Sequence, residues 1–240
     1  MQQLITFNPR PRIEQMRWSN GQSCLVIDDA LMEPERLVAF AVEQRRDFRS
    51  VDFNAYPGIL LPSPTAINAA LNDFFLHNVR RFFDARRTVQ MHSRLALVTL
   101  SPAELRPYQW ICHCDNVDIE AQLSIQASVL YLFRDPTLGG TSFYEPNLSE
   151  HETAMLFHDA STLSSDAFTR RHGIEPGYLC DSNRYFRRIG GIAAKWNRLI
   201  FYDGGTLHSG DIAVPEKLSS DPLTGRLTLN GFFTCRRNAV

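Results

Sequence analysis

The stretch SIQASVLYLF, residues 124–133, decides how most of this chain is read. It is short, apolar, and rich in β-branched and aromatic residues, the composition of a strand. Four further runs share its texture: MHSRLALVTL at 91–100, GGTSFYE at 139–145, RLIFYDG at 198–204 and GRLTLNGFF at 225–233. Turn sequences bound them, such as Pro-Thr-Leu-Gly-Gly after Asp135 and the Asp203-Gly-Gly turn. Short strands separated by tight turns predict an antiparallel sandwich or small barrel from about residue 90 onward. Residues 148–188 break the pattern with polar, partly helical sequence. An insertion of that length in a β domain is expected to be a lid or binding loop.

Upstream of residue 90 the pattern is mixed. SCLVIDDAL at 23–31 predicts a strand running into a turn, and Pro34 opens a helix over ERLVAFAVEQRR. A second helix is predicted with Ser63 as its cap and Pro64 as its first residue. Ile67, Leu71, Phe75, Val79 and Phe82 form its apolar face. With 240 residues, 44% hydrophobic and 21% charged, the chain has the makings of a globular protein with a sizeable core. Its formal net charge of −1 offers no electrostatic footprint for nucleic acid. No run approaches the ~18 apolar residues of a membrane helix, and the first residues have no signal-peptide core. Five irregularly spaced cysteines without an export signal predict reduced thiols and a cytoplasmic location. No distinct apolar seam fixes the oligomeric state, and a homodimer is left open.

The chemistry concentrates in WICHCDN, residues 110–116. On an extended strand, side chains alternate between faces. His113 and Asp115 then share one face, and Cys112 and Cys114 the other. Adjacent Cys112, His113 and Cys114 could not converge on one zinc ion from a strand. A third ligand is supplied by His208, in FYDGGTLHSGDI, 95 residues downstream of His113. Two histidines and one carboxylate leave adjacent coordination positions open, the facial arrangement of non-haem Fe(II) oxygenases. Asn116 either orients Asp115 or begins a turn. Further on, Arg226 and Thr228 share a strand face in GRLTLNGFF. An arginine pointing into a β core calls for an anion, and a dicarboxylate such as 2-oxoglutarate would supply one.

The order His-x-Asp, Gly-Gly strand, distal His, Arg-x-Thr resembles the 2-oxoglutarate/Fe(II)-dependent dioxygenases. The likeness is to the prolyl-hydroxylase-like branch, and within it to an uncharacterised bacterial subgroup. It rests on HCDN at 113–116, VLYLFRDPTLGGTSFYEP at 129–146, NRLIFYDGGTLHSG at 197–210 and GRLTLNGFF at 225–233, with VIDDALMEPERL as a looser match. It implies a mainly β fold: a double-stranded β-helix (jelly-roll) core with N-terminal helices packed on one sheet. Residues 1–240 would form a single domain, with 1–89 as strand and helix support and 90–235 as the core, interrupted by the insertion at 148–188.

The resemblance implies His113, Asp115 and His208 as iron ligands. Arg226 would pair with the distal carboxylate of 2-oxoglutarate, and Thr228 and Tyr131 would assist. The cofactor set is Fe(II), 2-oxoglutarate and O₂. The expected reaction is hydroxylation of a small molecule, amino acid or peptide side chain, with release of succinate and CO₂. Two rival readings keep the same residues. One is a cupin-like metal enzyme that does not use 2-oxoglutarate, and the other a non-catalytic binding protein on the same fold.

Overall fold

Alternation along three long strands organises the molecule: β5 (Arg87–Val98), β6 (Leu123–Tyr131) and β11 (Arg226–Arg236). β11 lies between the other two and pairs antiparallel with both. One face of this trio carries Leu95, Leu97, Leu130, Leu227, Leu229 and Phe233, all buried. The opposite face carries Arg94, Tyr131, Arg226, Thr228 and Asn230. One face is thus an ordinary apolar core, and the other is polar enough to need an explanation. The computed structural model describes residues 4–51, 56–115 and 119–238.

β1 (Ile13–Arg17), β2 (Ser23–Ile27), β3 (Arg49–Ser50), β4 (Gly58–Pro62) and β9 (Leu199–Asp203) extend the trio. The result is an eight-stranded antiparallel sheet of order β1-β2-β9-β6-β11-β5-β4-β3. Two helices, α1 (Glu35–Glu43) and α2 (Thr65–Phe74), cover its apolar face. Ile67, Leu71 and Phe74 of α2 are buried there, as is Phe75 in a π-helical turn that continues it. Phe75 stacks on Phe233 of β11 at 4.3 Å between ring centroids. The predicted apolar face is therefore the one buried. The predicted cap is not used: α2 begins at Thr65, Pro64 is its N-cap with ψ 151°, and no side chain caps the helix.

β7 (Thr141–Pro146), β8 (Phe186–Ile192) and β10 (Leu207–Gly210) form a separate three-stranded antiparallel sheet of order β10-β7-β8. It faces the polar side of the large sheet. Phe143, Ile192, Ala127, Tyr131, Ile200 and Tyr202 make one apolar cluster between the two. The insertion folds as α3 (Glu150–Thr162) and α4 (Ser165–His172). Ser149 and Ser164 cap these helices, each accepting a backbone N–H with its side chain. Their apolar residues Leu156, Ala160 and Phe168 pack with Trp110, Ile111 and Cys112.

This architecture corrects the expected fold. The chain is a mixed α/β protein with two antiparallel sheets, not a mainly β jelly roll or double-stranded β-helix. Among the described residues no ladder joins the two sheets, so no barrel closes. The reason is local. The segment leading to His113 holds two 3-10 turns, Pro102–Glu104 and Pro107–Gln109, each begun by a proline. Proline lacks the N–H that a ladder needs. Residues 113–115 reach β10 through one isolated bridge, His113 to His208, instead of a strand. Short β-like runs in the sequence show that strands form, but not that their ends meet.

Candidate metal centre

That single bridge assembles the site. The His113 N–H donates to the His208 carbonyl at 3.0 Å, and the His208 N–H returns to the His113 carbonyl at 2.8 Å. Two residues far apart in sequence are thereby fixed side by side, with ring centroids 4.4 Å apart. Two residues on, the Asp115 N–H donates to the carbonyl of Gly204 in the turn before β10, at 2.7 Å. One ligand atom from each of His113, Asp115 and His208 lies within 4.8 Å of the others. Asp115 Oδ2 and His208 Nε2 are 3.6 Å apart, too far for a hydrogen bond.

The protonation states suit a metal. The His208 ring nitrogen Nδ1 sits 2.9 Å from the Thr206 carbonyl, which can only accept. Nδ1 therefore carries a proton and donates it, which makes Nε2, on the Asp115 side, the ring nitrogen available to a metal. Burial pushes the His113 pKa down to about 3, with His208 and Arg94 adding to the effect. Its imidazole is neutral at pH 7, as a ligand must be. Burial raises the Asp115 pKa, against the opposing pull of His208, Arg94 and His92. Asp115 Oδ2 is buried and has no hydrogen-bond partner among the described residues. An orphaned carboxylate oxygen facing two imidazoles is the environment a divalent cation would complete. The residues present fit such an ion.

These three candidate ligands line a cavity of about 570 Å³ between the sheets. Arg226 lines it too, only 5% exposed. Its Nε donates to the Gly139 carbonyl at 3.0 Å and its Nη2 to the Gly140 carbonyl at 2.7 Å. Among the described residues it has no acidic partner. Thr228 and Tyr131 are fully buried and directly opposite each other across β11 and β6. The Tyr131 hydroxyl lies 2.8 Å from that of Thr141, which does line the cavity. The expected cofactor residues are thus grouped on one wall, with Arg226 alone of the three in the cavity lining.

The cysteines divide less cleanly than alternation predicts. Cys112 turns away into the apolar cluster under α3 and α4, but Cys114, half-buried, lines the cavity. All five cysteines are free thiols. Asn116 lies outside the described residues. The sequence reading passed over Arg94 and Phe232, which also line the cavity, as does Tyr178. Arg94 had a legible signal: in MHSRLALVTL, alternation sets it on the face opposite Leu95 and Leu97. Tyr178 comes from the insertion, and its hydroxyl donates to the Leu100 carbonyl at 2.6 Å. The insertion therefore contributes to the wall of the site.

Residues 9–233 match the family of unknown function DUF6445, and the chain belongs to that family. No curated protein matches it. Among solved structures it is similar to a prolyl-4-hydroxylase from Pseudomonas putida, at 15% identity over 95% of this chain and 93% of that one, TM-score 0.43. It is also similar to HygX from Streptomyces hygroscopicus with nickel and 2-oxoglutarate bound, at 11% identity over 90% and 84%, TM-score 0.44. A third is the non-haem α-ketoglutarate-dependent carbocyclase SnoK from nogalamycin biosynthesis, at 12% identity over 91% and 83%, TM-score 0.49. No helix among the described residues is long and apolar enough to cross a membrane.

Proposed function

We propose that this protein is an Fe(II)- and 2-oxoglutarate-dependent oxygenase that hydroxylates a small molecule, an amino acid or a peptide side chain. The observation that carries the reading is one cavity holding both features: two imidazoles converging with an unpartnered carboxylate, and a buried guanidinium without an acidic partner. Iron bound there would activate O₂ with electrons from 2-oxoglutarate, which leaves as succinate and CO₂.

The chain's own residues would do the following. His113 and His208 would each turn a ring nitrogen toward one point, and Asp115 would supply the negative charge that offsets a divalent ion. Arg226 pairs with the far carboxylate of 2-oxoglutarate through donors not committed to Gly139 and Gly140. Thr228 and Tyr131 add hydroxyls on the same wall. Ile111, Ile125, Val129 and Ile212 give the cavity apolar patches that keep water from the reacting atoms. Residues 1–240 act as one domain in this reading, with 1–89 as support. Five free thiols favour a reducing compartment such as the cytoplasm.

A second reading draws on the Arg226 hydrogen bonds to two glycine carbonyls. They suit an arginine with a structural role, in a metal enzyme that does not use 2-oxoglutarate. One experiment separates the two. Metal-free protein is titrated anaerobically with Fe(II), then with 2-oxoglutarate, and the visible charge-transfer band is followed. The oxygenase reading expects a band that His208→Ala abolishes and for which Arg226→Ala demands at least about ten-fold more 2-oxoglutarate. Iron binding without a band moves the assignment to the second reading. No iron binding removes both and leaves a binding protein.

A further inference from the structure

The cavity contains a second arginine that the iron site and the 2-oxoglutarate wall do not use. Arg94 stands on β5 opposite Asn230 of β11, and Arg226 stands on β11 opposite Val98 of β5. Both face the cavity. Four residues of register separate them, roughly 13 Å along the strands. They mark two distinct ends of the same space.

Arg94 is incompletely served by the protein. Among the described residues it makes no ion pair and no hydrogen bond, and its Nε is buried without a partner. Its guanidinium lies 4.7 Å from the centroid of the Phe232 ring, which also stacks with His92 at 5.1 Å. Phe232 fixes the plane of the guanidinium but accepts no N–H bonds in that plane. Leaving that Nε donor buried and unmet costs free energy that an anion in the cavity would offset. Burial pulls the Arg94 pKa down, while Asp115 and the Tyr56 hydroxyl pull it up. Asp115 is therefore within electrostatic reach, though it forms no ion pair with Arg94.

We propose that Arg94 is the anchor for a substrate carboxylate, so that the enzyme acts on small monocarboxylic acids with an apolar body. The planar guanidinium matches a carboxylate in two-point contact. Among the described residues Arg94 is the one guanidinium at this end of the cavity, so it offsets a monoanion fully and a dianion such as a phosphate monoester only in part. Phe232 beside Arg94, and Ile125 farther along on β6, give the cavity wall an apolar surface for the rest of the molecule. This inference rests on the oxygenase reading above and adds the substrate class to it.

The test uses protein loaded with Zn(II) and 2-oxoglutarate, so that Arg226 is already engaged. Hexanoate, phenylacetate and benzoate are compared with their primary amides and with phenyl phosphate, by saturation-transfer NMR. The expected result is that the acids bind, the amides do not, and phenyl phosphate binds more weakly than the acids. Arg94→Gln should weaken the acids by at least about ten-fold, with Arg94→Lys intermediate. The Fe(II)–2-oxoglutarate band of each variant, read in parallel, reports that the fold and cofactor site are intact. Acid binding that ignores Arg94→Gln, amides that bind like acids, stronger binding of phenyl phosphate, or no acid binding to wild type would each overturn the proposal. So would an Arg94→Gln variant whose defect is in 2-oxoglutarate, because Arg94 would then be the cofactor's anchor. If wild type itself gives no band, the oxygenase reading fails, whatever the acids do.

Discussion

Replacing Asp115 by asparagine should stabilise the metal-free protein and at the same time remove its response to metal. In the metal-free state the Asp115 side chain is 14% exposed, its Oδ2 is buried and meets no donor, and the nearest imidazole nitrogen is 3.6 Å away. A neutral amide in that place relieves the burial of charge and is worth about 1–2 kcal/mol. At about 2–4 °C per kcal/mol for a domain of this size, Tm in EDTA should rise by about 2–8 °C. Metal reverses the order. Wild type at a free Mn(II) concentration of one hundred times Kd gains about 2.7 kcal/mol, or about 5–10 °C, whereas Asp115→Asn gains almost nothing. Thermal unfolding of both proteins, in EDTA and in a Mn(II) series, reads both signs in one plate. The reasoning is refuted if Asp115→Asn lowers Tm in EDTA by several degrees. The carboxylate would then be held by His208 as an ion pair and would not be waiting for a cation.

Asp28 gives a pH prediction. Arg198 donates to it from Nε at 2.6 Å and from Nη2 at 3.1 Å, and Lys195 donates at 2.7 Å. The Arg198 hydrogen bonds chiefly, with Lys195 helping, lower its pKa from 3.8 to about 2. A depressed folded pKa means stability present above pH ~4 and lost as pH falls toward ~2. Because the Asp28 side chain is 36% exposed, solvent screening reduces the contribution to about 1 kcal/mol. Urea midpoints should separate wild type from Asp28→Asn at pH 7 and converge near pH 2, and equal midpoints at pH 7 would defeat the idea. Gly139 has φ +89°, and a Cβ there would stand 1.9 Å from the Asp211 carbonyl oxygen. Gly139→Ala should therefore cost at least about 3 kcal/mol in urea unfolding, and a loss below about 0.5 kcal/mol would mean that the turn relaxes freely.

Much of this was readable from the chain, because alternation is a local property. The runs at 91–100, 124–133, 139–145, 198–204 and 225–233 all contain strands, and the spacing of Ile67, Leu71 and Phe75 marked a buried helix face. The pairing of His113 and Asp115 with His208 followed from donor chemistry, since few side-chain sets suit one cation. What failed was non-local. Closure into a barrel depends on how residues 101–115 pair across space, and Pro102 and Pro107 leave them turned instead of laddered. Pro64 likewise displaced Ser63 from the cap position. The hydrogen bonds of Arg226 to Gly139 and Gly140 could not be seen either, because the guanidinium meets carbonyls 87 and 86 residues away. Arg94 lay open to the same alternation argument that picked out Arg226. It was passed over because its run reads as an ordinary strand until the neighbouring sheet supplies the cavity.

The bridge between His113 and His208 bears on which metal the protein acquires. In the unfolded chain the softest donors are the five thiols, and they would favour zinc or copper over iron. Folding buries Cys24, Cys112 and Cys235 completely. It brings two imidazoles and a carboxylate together only once β10 is in place, because one backbone bridge has to span 95 residues of sequence. A cation arriving after folding would therefore meet a nitrogen-and-oxygen donor set already assembled. The topology acts as a filter in time: Cys24, Cys112 and Cys235 are withdrawn by the moment the site exists, and Cys114 stays at its edge.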